Sequence, residues 1–222
     1  VETLEKSYRD AGDEDTLIIT RSNKRTNLYN QGVRARILWK EDAISSGDRL
    51  MVSKNNYFWT QDYDDLPFLA NGDTLEVVRL RNEHEMYGFR FAEASLRSID
   101  YDWEIDALLW LDTLTTDTPE QNYQLQQTLF SRIAEDYPEI HNRKEMLKKV
   151  YESEYYNALQ VRFAYAVTCH KAQGGQWKHV YIDAGNIAQY KERMSNLQEH
   201  QEYLRWLYTA FTRATEKVFW IG

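Results

Sequence analysis

The chain has 222 residues, 42% of them hydrophobic and 28% charged, with a formal net charge of −8. That balance excludes a disordered chain and leaves room for one large domain or two small ones. A single cysteine excludes an intrachain disulfide, the five histidines show no zinc spacing, and no apolar run reaches the length of a membrane span. A cytoplasmic protein with no membrane partner is therefore expected. The negative charge is the wrong sign for coating nucleic acid, so any such contact must rest on a local basic patch.

The chain opens on Val1, which suggests part of a longer polypeptide. Residues 1–15 are acidic and polar, an expected exposed lead-in. Thr16-Leu-Ile-Ile-Thr20 is a short β-branched run of the kind that makes a buried strand. Ser22 or Asn23 can cap the helix that follows, and Leu28, Val33 and Ile37 are spaced to pack it on a sheet. The character changes at Ser45-Ser46-Gly47. Residues 49–52, the Asn71-Gly72-Asp73 turn with residues 74–78, and residues 86–91 are short strand-like pieces at close spacing. They predict a small β-barrel over 46–116. Within it Asn55, Asn56, Tyr57, Phe58 and Trp59 form an aromatic loop, equally suited to stacking on bases or filling a barrel core. Residues 119–137 and 142–159 read as helices, with Leu125, Leu129 and Ile133 on the buried face of the first. Residues 117–159 are thus predicted as a helical connection.

Residues 1–45 and 160–222 would then form one discontinuous α/β domain. Phe163-Ala-Tyr-Ala-Val167 and Val180-Tyr-Ile182 read as buried strands. Between them Thr168-Cys-His-Lys-Ala-Gln-Gly-Gly-Gln-Trp177 is polar and glycine-bearing. A parallel sheet places such loops at the carboxyl ends of its strands. His170, Lys171, Lys178 and His179 make the local balance basic. Residues 184–201 are polar and partly helical by pattern. Residues 203–214 read as an amphipathic helix with Leu204, Leu207, Tyr208 and Phe211 on one face, and residues 218–221 as a closing strand. Adjacent Cys169 and His170 point apart on an extended segment, so Cys169 reads as a small buried residue rather than a nucleophile. Asp183 ends an apolar strand in the manner of a metal-binding carboxylate, without a partner acid beside it. None of the nine glycines precedes a lysine, so the sequence holds no G-x-x-x-x-G-K-[ST] phosphate loop.

TCHKAQGGQW, residues 168–177, resembles motif V of superfamily 1 helicases, whose usual form is T-x-H-K-x-Q-G. LRWLYTAFTRATEKV, residues 204–218, resembles motif VI with its Y-T-A-x-T-R-A core, and LIITRSN, residues 17–23, is similar to motif IV. In this order they resemble the RecD-like helicases, also called exodeoxyribonuclease V alpha subunits. The resemblance implies a RecA-like parallel-sheet domain, 2A, of the P-loop NTPase type but without its own P-loop. It also implies an inserted SH3-like β-barrel, 2B. The activity implied is that of an ATP-dependent DNA helicase acting in repair or recombination. Arg213 of motif VI would be the catalytic arginine at the γ-phosphate, and Arg21 of motif IV a second. Arginine suits the task because its charge is permanent and its planar donors match phosphoryl oxygens.

By the same resemblance Gln173, Gly174 and Gln176 join Arg213 on the nucleotide side, Gln176 standing where the family often has Glu. Thr168, His170 and Lys171 would meet single-stranded DNA, with Asn55 and Tyr57 of the barrel as further contacts. ATP and Mg²⁺ would be bound mainly by an amino-terminal RecA-like domain of the same polypeptide. This chain alone is expected to hold neither and to be inactive. Other recombination or repair proteins are further expected partners. The competing reading is a non-catalytic nucleic-acid or protein binding module with a degenerate motor domain.

Overall fold

The structure, a computed structural model, describes residues 1–185 and 197–221. It divides into two units, Val1–Glu41 with Tyr165–Gly222, and Asp42–Ala164. The acidic opening is largely exposed, as expected, but forms a helix, α1 (Glu2–Asp10). Its Ser7 is buried and shares a 2.7 Å hydrogen bond with the Tyr181 hydroxyl, which donates to the Thr3 carbonyl at 2.7 Å. Strand β1 (Thr16–Thr20) is buried at every position, as a strand covered on both faces requires.

Helix α2 (Asn23–Arg36) starts at Ser22, whose hydroxyl accepts from the Arg25 N–H at 3.3 Å. The face it buries keeps Val33 and half-buries Ile37, as expected, but turns Leu28 out. Leu28 is 66% exposed, and Thr26, Asn27, Asn30, Val33 and Arg34 are buried. The reason lies in Asn30, which donates to the Ala166 carbonyl at 3.1 Å and accepts from the Ala166 N–H at 2.7 Å. Its amide fills both positions that a neighbouring strand would otherwise occupy.

The second unit is a closed barrel of β2 (Arg49–Val52), β3 (Thr74–Met86), β4 (Phe89–Ser98), β5 (Glu104–Trp110) and a fifth strand described below. Strands β3 and β4 are longer than the sequence pattern indicates. They meet at Tyr87-Gly88, both at positive φ (54° and 66°), which suits the twist of a two-residue hairpin. Leu50, Leu75, Val77, Leu96 and Leu109 have no exposed surface. A second cluster joins Phe89, Phe91, Leu108 and Trp110 to Leu129 and Ile133 of α3 (Pro119–Ala134) and Val150 of α4 (Arg143–Glu152). These helices therefore cover part of the barrel and are more than a connection. Thr118 and Gln121 form a capping box at the start of α3, with Pro119 in its first turn. Helix α4 stops at Glu152, short of the expected 159. Leu159, expected to end that helix, and residues 160–163, expected in the α/β domain, become β6 (Leu159–Phe163), antiparallel to β2 and parallel to β5, and close the barrel.

The apolar run at 163–167 is therefore not one strand. It splits at the boundary between the units, and the sheet strand is β7 (Ala166–Thr168). With β8 (Trp177–Asp183), helix α5 (Leu197–Phe211) and β9 (Ala214–Ile221) it completes a four-stranded sheet in the order β7-β1-β8-β9, every pair parallel. This is the expected architecture: a parallel α/β sheet interrupted by a barrel with helices. The partial helix expected over 184–201 falls mostly outside the described residues, and only α5 is seen. On α5 the buried residues are Tyr203 and Ala210. Leu204, Tyr208 and Phe211, assigned to the inner face from the sequence, are 50%, 73% and 45% exposed. Tyr203, Trp206 and Ala210 share one helix face by spacing, and a small residue there allows close approach to a sheet. Among the described residues no helix is long and apolar enough to cross a membrane.

Phe91→Ala removes a fully buried ring from the barrel–helix cluster and should lower unfolding stability by about 3–5 kcal/mol in a urea titration. Leu28→Ala, at an exposed apolar position, should change it by less than about 0.5 kcal/mol.

Candidate functional site

Strand β7 ends at Thr168, paired with Thr20 of β1, and the Cys169 N–H donates to the Thr20 carbonyl at 3.3 Å. The chain then descends through successive tight turns. Lys171 N–H donates to Thr168 O (2.9 Å), Ala172 N–H to Cys169 O (3.2 Å) and Gly175 N–H to Ala172 O (3.4 Å). Ala172 is buried and pins the turns, leaving His170, Lys171, Gln173 and Gln176 exposed. Gly174 sits at φ +89°, which favours glycine. A Cβ on Gly175 would lie 2.3 Å from the Trp177 ring, so no larger residue fits without movement.

Arg213 is tied to this loop from the other side. Its Nη1 donates to the Gly175 carbonyl at 3.1 Å, its Nε to Thr209 O at 3.1 Å and its Nη2 to Thr212 Oγ1 at 3.0 Å. The Trp177 N–H donates back to Arg213 O at 2.9 Å.

Arg21 follows β1 directly. With Cys169, His170 and Gln173 it lines a cavity of about 600 Å³, closed on the α5 side by Tyr203, Trp206 and Thr209. Its guanidinium carbon lies 5.2 Å from the Tyr203 ring centre and 5.4 Å from that of Trp206. Burial pulls the Arg21 pKa down, against a smaller opposing effect of Tyr203, and a guanidinium starts high enough to remain a cation. Glu199, Glu202 and Arg205 also line the cavity. The structure thus brings Arg21, His170 and Gln173 together. Thr168, Gly174, Gln176 and Arg213 are not on the cavity wall, and Arg213 reaches it only through Thr209.

Asn55 and Tyr57 belong to the barrel unit. The Asn55 side chain accepts from the Asn71 N–H at 2.8 Å, and Tyr57, 59% exposed, stacks on Phe68 at 5.0 Å. Trp59 turns the other way, donating through Nε1 to Asn157 O at 2.9 Å. The aromatic loop therefore divides between an outward tyrosine and an anchored tryptophan. Asn55, Tyr57, Lys54 and Tyr156 line a cavity of about 230 Å³, where burial lowers the Lys54 pKa.

Two sequence expectations change. The local basic patch is smaller than expected, because Lys178 pairs with Asp15 at 2.8 Å and His179 is buried beside the Phe219 ring. The hydrogen bond to Asp15 also raises the Lys178 pKa. Asp183 is buried and ion-paired to Arg25, whose pKa rises through that bond. Among the described residues no group of three His, Cys, Asp or Glu is placed to hold a metal ion. Sequence reading missed Arg25, whose partner is 158 positions away, and the Tyr203–Trp206 pair. The latter was legible as two aromatics three apart on a helix.

Gly175→Ala should lower stability by about 1–3 kcal/mol through overpacking against Trp177, measured by thermal unfolding. Burial pushes the Cys169 thiol pKa up, so less thiolate is present near neutral pH. As the only cysteine, it should react with a thiol reagent more than about tenfold slower than an exposed thiol, and urea should remove the difference.

Comparison with known proteins bears on this same loop. Residues 163–221 match the family model described as UvrD-like helicase C-terminal domain. No curated protein matches the chain. Among solved structures, the Pif1 helicase from Candida albicans aligns over 94% of this chain, with 11% sequence identity and a TM-score of 0.43. This chain spans 45% of that one. The matched residues 163–221, which hold the glycine turn and Arg213, are thus similar to a UvrD-like helicase C-terminal domain.

Proposed function

We propose that this chain is the carboxyl-terminal motor half of an ATP-dependent DNA helicase of the RecD-like type, working with an amino-terminal RecA-like domain of the same polypeptide. The observation that carries the reading is the pair of hydrogen bonds joining Arg213 to the loop, from Nη1 to Gly175 O and from the Trp177 N–H to Arg213 O. They make the segments that resemble motifs V and VI one mechanical piece. A change at the nucleotide is then passed to the DNA-facing loop.

In this reading Arg213 and Arg21 meet the γ-phosphate, with Gln173, Gly174 and Gln176 on the nucleotide side. An arginine so placed stabilises transition-state charge and is worth about 10³–10⁵ in rate. Thr168, His170 and Lys171 follow the backbone of single-stranded DNA, and Asn55 and Tyr57 add a contact from the barrel. On the cavity wall Arg21 and Gln173 offer donors to an anionic ligand such as the phosphates of ATP, beside Arg205, Glu199 and Glu202. Mg²⁺ takes oxygen ligands; Asp183 is engaged by Arg25, and Glu199 and Glu202 on the cavity wall are not joined by a third His, Cys, Asp or Glu placed to hold a metal among the described residues. The metal would belong to the amino-terminal domain. Movement from 5′ to 3′ and a role in recombination or repair would follow from a RecD-like kinship, and a single cysteine fits a cytoplasmic setting.

The test is ATP hydrolysis by the parent polypeptide, with and without single-stranded DNA. Stimulation by DNA is expected, with a loss of about 10³-fold in Arg213→Ala. Hydrolysis indifferent to DNA, or an Arg213→Ala protein as active as wild type, would turn the reading to a binding module. The isolated 222-residue chain should hydrolyse no ATP.

A further inference from the structure

Arg21 lies on a flat aromatic surface. Tyr203 and Trp206 stand three apart on α5, with rings inclined by only 10° and centres 6.4 Å apart. The guanidinium carbon is 5.2 Å from one centre and 5.4 Å from the other, both inside the ~6 Å reach of a cation–π contact. The surface is braced from behind. The Cys169 thiol donates to the Trp206 carbonyl at 3.6 Å, and the Cys169 N–H holds the Thr20 carbonyl, one residue before Arg21. Strand β1, the glycine-bearing loop and α5 thus close a ring of contacts around the arginine. The same helix presents Thr209 O to Arg213 Nε.

We propose that Tyr203 and Trp206 are positioning residues for Arg21, fixing the plane of its guanidinium so that it meets a phosphoryl group in a set orientation. The proposal rests on the reading of Arg21 as a phosphate-facing residue. The chemistry favours rings for this purpose. A ring meets the face of a guanidinium and so sets the plane in which its N–H donors lie. The clamp also places Arg21 and Arg213 on one handle, so a shift of α5 would move both.

Two measurements test it. In the 222-residue chain labelled with ¹⁵N-arginine, the Arg21 Nε–Hε resonance, identified by its loss in Arg21→Lys, should be displaced upfield by the rings. Tyr203→Leu and Trp206→Leu should each move it towards the position of an exposed arginine, and Trp206→Phe should largely keep it. An undisplaced Arg21 resonance in the wild-type chain overturns the clamp. In the parent polypeptide, Trp206→Leu should lower the kcat of ATP hydrolysis about tenfold, with recovery in Trp206→Phe, and should cost nothing further in an Arg21→Ala background. An equal loss in both backgrounds overturns the positioning role. A parent that hydrolyses no ATP overturns the functional reading and the catalytic consequence together, and the resonance measurement separates that failure from a failure of the clamp.

Discussion

A parallel strand cannot follow its neighbour through a tight turn, and the α/β unit is shaped by that constraint. Its four strands are all parallel, so every step from one to the next is a crossover. Each crossover leaves a segment outside the sheet, and the candidate residues occupy those segments. Arg21 stands between β1 and α2, the glycine-bearing turns between β7 and β8, and Arg213 between α5 and β9. The crossover from β1 to β7 is long enough to hold the whole barrel unit. The sheet tolerates such an insertion because the cost of closing a loop rises only slowly with its length.

Electrostatics explains how an acidic chain keeps cationic groups at this site. Lys178 and Arg25 are matched by Asp15 and Asp183, and those ion pairs consume charge on both sides. Arg213 is held differently. Its hydrogen bonds run to two carbonyls and a hydroxyl, neutral acceptors that orient the guanidinium. Net charge describes solubility and long-range steering; partners of this kind decide what a single arginine offers a ligand.

What could be read from the sequence was mostly what depends on neighbours in the chain. The Ser22 cap, the turn at Gly174 and Gly175, and the start of α3 at Pro119 are set by residues within a few positions of one another. The loop and Arg213 were also legible, because their pattern is local. Contacts across the chain were not. Nothing near Asn30 announces Ala166, nothing near Arg25 announces Asp183, and residues 160–163, read as part of the α/β domain, gave no sign that they would close a barrel. Leu28 and Leu204 misled for a related reason. Apolar spacing says which side chains can share a face, and the buried face here was chosen by a polar amide in one helix and by aromatic rings in the other.

The amide of Asn30 has a consequence beyond the packing of α2. The outer rim of β7 would otherwise offer an N–H and a carbonyl as a template on which a further strand, from this molecule or another, could polymerise. A side chain that fills both positions ends the ladder without becoming part of it. Unlike a strand, it carries no second row of donors and acceptors on its far side, so growth of the sheet in that direction terminates with a single residue.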